Sequence, residues 1–130
     1  MRATARQTHS RALAMTVSTS CGHVILNVRG ELDAATVDEF ADLADHLLSD
    51  RQAAVIIDLS KVSFCSAGAL GVLLRLTSDA DGHGTPLAIL ATQPAVLRPI
   101  QILGLQPVLP VHTTLADASS WLELLPRLTP

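Results

Sequence analysis

Aromatic residues are scarce in this chain, and their scarcity excludes one class of partner. Phe40, Phe64 and Trp121 are the only aromatic side chains among 130 residues, and tyrosine is absent. Proteins that bind single-stranded nucleic acid stack its bases on aromatic side chains. Positive charge is also limited, because nine Lys and Arg stand against twelve Asp and Glu, giving a net charge of −3. We therefore expect no direct nucleic-acid partner, since basic surfaces supply most of the affinity for phosphate backbones.

Long apolar runs are missing as well. Stretches such as 53–57 and 69–74 are far shorter than the roughly 20 residues that a membrane-spanning helix needs. The N-terminal arginines are not followed by the apolar stretch of a secretory signal. We therefore expect a cytoplasmic protein without membrane insertion, in which residues 1–12 form a flexible basic tail and residues 13–130 form one domain.

Cysteine and histidine are too few and too scattered for a metal site. The cysteines are Cys21 and Cys65, and the five histidines show no ligand spacing, so we expect neither a metal nor a cofactor. The two cysteines lie at opposite ends of the predicted sheet, which excludes a bridge between them. Cys65 precedes a predicted helix, and a helix N-terminus lowers the pKa of a thiol and makes it redox-sensitive. The alternative is that Cys65 is buried and inert.

Segments with strand and helix patterns alternate along the rest of the chain. A β-hairpin is predicted from strands at 15–19 and 23–29, which are joined by Cys21 and Gly22. Apolar residues then recur at helical spacing from Val37, with Thr36 or Asp33 as the candidate N-cap. Further strands are predicted at 53–59, 86–91 and 108–111, and further helices begin at 67, 94 and 114. This order predicts an α/β domain with an N-terminal hairpin, a mostly parallel sheet of about five strands and about four helices.

Four segments carry motifs that are more specific than the pattern. They are G-E-L-D-A-A-T at 30–36, V-I-I-D-L-S-K-V-S-F at 55–64, S-A-G-A-L-G-V-L-L from 66, and P-A-V-L-R with I-L-G-L within 94–105. Together they resemble the STAS domain that sulfate transporters share with anti-sigma-factor antagonists. The resemblance extends over about residues 14–125 without a large gap, and it implies a single STAS-like domain of the α/β class predicted above.

The turn around Ser66 departs from the motif of that family. The family usually has Asp-Ser-Ser-Gly-Leu-Gly after the buried strand, and a partner kinase that is also the anti-sigma factor phosphorylates the first serine. An ungapped alignment places Ser66 at the Asp and Ala67 at the phosphorylated serine, whereas a shift of one residue places Ser66 at the acceptor. A hydroxyl just before a helix also suits an N-cap. Ser66 is therefore a candidate for phosphorylation, and the alternative is a cap alone.

The resemblance also implies which surface binds a partner. Asp33 and Ser66 follow two strands that we expect to be parallel, so both should lie at one edge of the sheet. In the family this region meets the anti-sigma factor. By resemblance the partner-binding residues are Asp33, Ala34, Thr36, Ser66, Ala67, Gly68 and Leu70.

The function implied is that of an anti-sigma-factor antagonist rather than an enzyme. Such a bacterial protein binds an anti-sigma factor, which is also a GHKL-type serine kinase, and so frees a sigma factor to activate transcription. We expect a monomer or a weak dimer. One alternative is a free-standing STAS subunit of a membrane lipid or anion transporter. A second alternative is a hydrolase or a nucleotide-binding enzyme that uses Ser66, although the chain has neither a G-x-S-x-G nor a G-x-x-x-x-G-K motif.

Overall fold

The computed structural model describes residues 7–9, 13–50 and 53–125. The strands are β1 Gln7–His9, β2 Leu13–Ser20, β3 His23–Leu32, β4 Val55–Cys65, β5 Leu87–Leu90 and β6 Val111–His112. The helices are α1 Val37–Ser49, α2 Ala67–His83, α3 Pro94–Ile102 and α4 Leu115–Leu124. The alternation of strands and helices from β3 onwards confirms the predicted α/β class.

The strands form one sheet in the order β1-β2-β3-β4-β5-β6. The pairs β1–β2 and β2–β3 are antiparallel, and the three following pairs are parallel. The hairpin expected at the N-terminus is therefore confirmed. The described sheet has six strands where about five were expected, because Gln7–His9, inside the predicted tail, pairs with β2. Residues 1–6 and 10–12 of that predicted tail lie outside the described residues.

Each face of the sheet has its own apolar cluster, because side chains alternate along the strands. One face of β4 contributes Val55, Ile57 and Leu59, and these pack with residues of α1, α2 and α3. The other face contributes Ile56, which packs with α4 through Ala118 and Leu122. The first cluster is much the larger, so most of the apolar burial that stabilises the domain lies on the α1–α2 side.

The two proline-rich segments fold in different ways. Helix α3 runs through Pro99, as its apolar spacing predicted. The strand predicted at 108–111 is wrong in most of its length, because β6 begins only at Val111. The carbonyl of Leu105 instead accepts hydrogen bonds from the amides of Val108 and Leu109, which form a turn there. Pro110 lacks an amide hydrogen, but its carbonyl accepts from the amide of Ile89 at 2.8 Å.

The described residues contain no membrane-spanning helix, metal site or disulfide. None of their helices is long and apolar enough to cross a membrane. No group of His, Cys, Asp and Glu side chains within them is arranged to hold a metal ion. Cys21 and Cys65 are both free thiols, the first exposed and the second buried.

Candidate functional site

The carboxyl ends of β3 and β4 bring Asp33 and Ser66 together. Leu32 and Cys65 are register partners at the ends of these two parallel strands. The amide of Ser66 donates to the carbonyl of Leu32 at 2.9 Å, which ties the start of one loop to the start of the other. Asp33 follows Leu32 directly, so the two residues singled out from the sequence are neighbours at one edge of the sheet.

Ser66 is the N-cap of α2. Its backbone is extended, with φ −76° and ψ 164°, and its Oγ accepts a hydrogen bond from the amide of Ala69 at 3.1 Å. One of the amides left free at the helix start is thereby satisfied. No acidic residue occupies the first turn of α2. The cap expected from the sequence is confirmed, and the helix dipole at this end is not offset by a carboxylate of α2 itself.

Asp33 and Thr36 shape the loop that leads into α1. The Asp33 carboxylate accepts from the amide of Ala35 at 2.9 Å. The Thr36 hydroxyl accepts from the amide of Asp33 at 3.1 Å and donates to the carbonyl of Glu31 at 2.7 Å. Thr36 is the N-cap residue of α1, yet its side chain makes no capping hydrogen bond to the helix. Both side chains therefore hold the loop rather than the helix.

Two of the predicted partner-binding residues lie inside the protein. Leu70 is fully buried in the main apolar cluster, and Thr36 is only 4% exposed. They cannot touch a partner in this structure, so this part of the prediction needs correction. Leu70 is buried because α2 packs on the sheet through the side that bears Leu70 and Leu73. The sequence did not indicate which side of α2 faces the sheet, because the helix is apolar nearly all round. Ala34, Ala67 and Gly68 are exposed, and Asp33 and Ser66 are partly exposed.

Cys65 is not the reactive thiol that its position suggested. Its side chain is buried in the main apolar cluster, and burial raises the pKa of the thiol from 9.0 to about 11. Only the thiolate reacts with oxidants and disulfides, so the group is inert near neutral pH. Of the two interpretations of Cys65, the buried and inert one fits the structure, because desolvation outweighs the nearby helix N-terminus.

The first two turns of α2 expose two glycines that no contact with the described residues requires. Gly68 and Gly71 have ordinary helical backbones and are both exposed. A Cβ added at Gly68 would meet nothing nearer than the Ser66 Oγ at 3.8 Å, and one at Gly71 would meet no atom within 4 Å. Glycine costs about 1 kcal/mol relative to alanine inside a helix. A flat, bare surface next to Ser66 is therefore kept at some expense in stability.

Helix α3 adds an apolar depression beside this surface, which sequence reasoning missed. The depression measures about 410 Å³ and is lined by Ala67, Pro94, Ala95, Arg98, Pro99, Ile102 and Leu103. Ile102 is 75% exposed and Leu103 is 50% exposed, which is unusual for large apolar side chains. The sequence did contain one indication of this depression. The apolar pair Ile102-Leu103 lies at the end of a helix whose buried face is formed by Val96 and Ile100.

Gln93 holds α3 in this position and was also missed. Its side-chain amide donates to the carbonyls of Leu59 and Val62, both at 2.6 Å. These carbonyls lie on the part of β4 that extends beyond its pairing with β5, which ends at Asp58 and Leu90. Gln93 thus satisfies an otherwise open strand edge and fixes the start of α3 against β4.

The matching family model is that of the STAS domain, and it covers residues 13–118. The chain belongs to the STAS domain family. Among curated proteins, this STAS domain is 30% identical over 108 residues to the anti-sigma-F factor antagonist RsfB of Mycobacterium tuberculosis, with 82% of this chain and 87% of RsfB covered. RsfA of the same organism, also an anti-sigma-F factor antagonist, is 30% identical over 113 residues, with 85% of this chain and 88% of RsfA covered.

Solved structures agree with this assignment. A crystal structure of an anti-sigma factor antagonist from Mycobacterium paratuberculosis superposes with a TM-score of 0.79 at 28% identity, covering 86% of this chain and 95% of that one. The murine anion transporter Slc26a9 superposes with a TM-score of 0.67 at 19% identity, covering 82% of this STAS domain and 18% of the transporter. The second likeness shows the fold alone.

Proposed function

We propose that this STAS domain is an anti-sigma-factor antagonist, which binds an anti-sigma factor in the cytoplasm of a bacterium and so frees a sigma factor. The proposal rests on relatives that carry this name at 30% identity over most of their length. The contact surface is formed by the Asp33 loop, Ser66, the exposed start of α2 and the apolar depression beside α3. The protein acts by binding, not by catalysis.

The bare glycine surface is the structural observation that supports a partner contact at the start of α2. Gly68 and Gly71 lie three residues apart, so they share one face of α2 in its first two turns. Nothing inside the protein lies close enough to exclude a side chain at either position. A partner that packs directly against the helix backbone accounts for both glycines. The exposed Ile102 and Leu103 offer that partner apolar area of the kind found at interface cores.

The transporter alternative has less support. The likeness to Slc26a9 rests on the fold, at 19% identity. A subunit of a transporter would be expected to share sequence with transporter domains at least as much as with antagonists, and the relatives at 30% identity are antagonists. We therefore place the partner among anti-sigma factors.

Substitution of a glycine on α2 tests the proposed contact surface directly. Gly71→Gln should weaken binding to the anti-sigma factor of the same genome at least about tenfold, because the new side chain holds the partner away from the helix. Gly82→Gln is the matched control, since Gly82 is also an exposed glycine of α2 with no atom within 4 Å of an added Cβ. Both variants should be at least as stable as the parent, because glutamine favours helix more than glycine.

Calorimetric titration of the purified pair, together with a competition assay that measures sigma factor released, reports both effects. Equal affinity of Gly71→Gln and the parent would contradict the proposed surface. Failure of the parent itself to bind or to release the sigma factor would contradict the function.

We further propose that phosphorylation of Ser66 by a GHKL-type kinase partner controls this binding. Ser66 carries the only hydroxyl between Phe64 and Leu70. A phosphate on its Oγ would lie at the start of α2, where free amides and the helix dipole stabilise negative charge. The same phosphate would bring about two negative charges next to Asp33 and onto a surface that is otherwise largely apolar, which opposes docking.

Mass spectrometry after incubation with the kinase and ATP tests this control. The tryptic peptide that follows Lys61 and ends at Arg75 contains two hydroxyl side chains, Ser63 and Ser66. We expect phosphate on this peptide in the parent and in Ser63→Ala, and none in Ser66→Ala. Tight binding of the partner without phosphate on the peptide would remove phosphorylation from the proposal and leave the binding role intact.

A further inference from the structure

The half of the sheet that α4 leaves uncovered carries a polar depression of its own. Helix α4 packs over Ile25, Ile56 and Leu90, on the β3, β4 and β5 part of this face. Beyond its reach, a depression of about 360 Å³ opens, and the residues that line it include Ala14, Thr16, Asn27, Arg29, Asp58 and Lys61. Its volume lies in the range of small-molecule sites, about 300 to 1,000 Å³.

Two cations line this depression. Arg29 of β3 and Lys61 of β4 are register partners on adjacent parallel strands, so both side chains extend from the same face. Like charges placed directly opposite each other destabilise a sheet. Both side chains are exposed, and neither forms an ion pair with any residue in the described part of the chain. An anion between them would relieve this repulsion and accept hydrogen bonds from both.

The same strands place an acceptor beside the cations. Asn27 and Asp58 are the preceding register pair, and an irregularity in the ladder separates this pair from Arg29 and Lys61. One oxygen of the Asp58 carboxylate accepts from the amide of Ser60 at 2.9 Å and from its hydroxyl at 2.6 Å, which fixes the side chain. No described residue forms a hydrogen bond to its second oxygen, which is available for a donor on a ligand. A phosphate ester can donate to Asp58 from a hydroxyl at its other end, whereas inorganic phosphate can donate only a P–OH and must bring its own negative charge next to the carboxylate.

We propose that this depression binds a small phosphate ester whose other end carries hydroxyl groups. Arg29 and Lys61 hold the phosphate, and Asp58 accepts a hydrogen bond from a hydroxyl. The site lies on the sheet face opposite to α1 and α2 and is separate from the surface proposed to bind the anti-sigma factor. The ligand is a metabolite-sized molecule, because the depression is too small for a macromolecule to enter.

Glycerol 3-phosphate is a suitable probe, with inorganic phosphate and glycerol as partial ligands. Titration of the ¹⁵N-labelled protein, followed by amide chemical shifts, should give saturable changes confined to residues around 27–29 and 58–61. Inorganic phosphate should bind more weakly, and glycerol should not bind. Arg29→Gln and Lys61→Gln should each weaken glycerol 3-phosphate binding at least about tenfold, since a hydrogen bond to a charged group is lost. Arg75→Gln, which removes an exposed cation from α2 on the other face of the sheet, is the matched control.

Stability without ligand provides an independent readout. Arg29→Gln and Lys61→Gln should unfold at the same temperature as the parent or higher, because each removes a like-charge contact. Asp58→Asn should abolish the preference for glycerol 3-phosphate over inorganic phosphate. The proposal is overturned if sodium chloride at matched ionic strength reproduces the shifts, if the two cation variants bind like the parent, or if both variants are destabilised. Stronger binding of both phosphates to Asp58→Asn, with no change in their ratio, would overturn the role of Asp58.

Discussion

The two faces of the sheet show how differently one set of strands can be used. On the α1–α2 face, side chains such as Leu26, Ile57 and Leu73 are completely buried. On the other face, α4 covers a small cluster, and β2, β3 and β4 present Thr16, Asn27 and Asp58 next to an open depression. The covered face supplies most of the apolar burial, which is the main favourable term in folding.

The residues that stabilise this small domain therefore lie apart from the surfaces that we propose for recognition. Residues on the covered face are fixed by packing and are not available to a partner, as Leu70 and Cys65 show. The groups free to interact lie where packing stops, at the carboxyl ends of β3 and β4 and on the uncovered half of the sheet. Three comparisons between matched positions test this division.

The largest effect should come from leucine truncation on the two faces. Leu73→Ala removes a fully buried side chain that lies in the main cluster, and should lower the free energy of unfolding by about 4 kcal/mol. Leu122→Ala, in the smaller cluster, should lower it by about 2 kcal/mol, because α4 can settle into the space that is left. Urea unfolding of both variants measures the difference. Equal losses would show that the two faces contribute alike.

The second comparison distinguishes the buried Cys65 thiol from the exposed Cys21 thiol through the pH dependence of stability. Below pH 9 the Cys65 thiol is protonated in both the folded and the unfolded protein, so it does not affect stability. As the pH rises from 9 toward the folded-state pKa of about 11, the unfolded thiol ionises while the folded one does not. Stability should therefore fall by about 2 to 3 kcal/mol across this interval.

Urea unfolding between pH 8 and 11 detects this loss, and the absence of tyrosine removes one competing group. Cys65→Ala should flatten the pH dependence, whereas Cys21→Ser, the control at the exposed thiol, should leave it unchanged. A parent protein whose stability stays constant up to pH 11 would contradict the burial of Cys65.

The smallest effect compares helix caps on the two faces. Ser66 caps α2 through the amide of Ala69, and Thr114 caps α4 through the amide of Asp117 at 3.0 Å. Ser66→Ala and Thr114→Ala should each lower the free energy of unfolding by about 1 kcal/mol, and Ser66→Asp should restore most of the loss at Ser66. Thermal unfolding checks these values. A neutral Ser66→Ala would mean that the hydroxyl serves binding or phosphorylation and not the helix.

Local patterns in the sequence predicted much of this fold. Helical spacing from Val37 predicted α1, and Phe40, Ala44 and Leu48 are buried as that spacing implied. The serine before an apolar helix predicted the Ser66 cap, and the paired strand ends predicted its nearness to Asp33. These predictions succeeded because each depends on a local preference or on a simple rule of parallel sheets.

Other parts of the site could not be predicted from local patterns. By resemblance Leu70 was expected at the surface, because α2 is apolar nearly all round and its orientation is not encoded in its spacing. The choice between a reactive and an inert Cys65 depended on how deeply the end of β4 is buried. The contribution of α3 depends on Gln93, whose partners Leu59 and Val62 lie more than thirty residues earlier in the chain. Such contacts exist only after the strands and helices have packed.

By itself, then, the sequence determined the family, the order of strands and helices and the cap at the start of α2, since these depend on motifs, periodicity and neighbouring residues. Only the tertiary structure decided which side of α2 faces outward, which thiol is protected and where the two depressions lie. All three properties depend on burial, and burial depends on contacts between residues that are far apart in the chain.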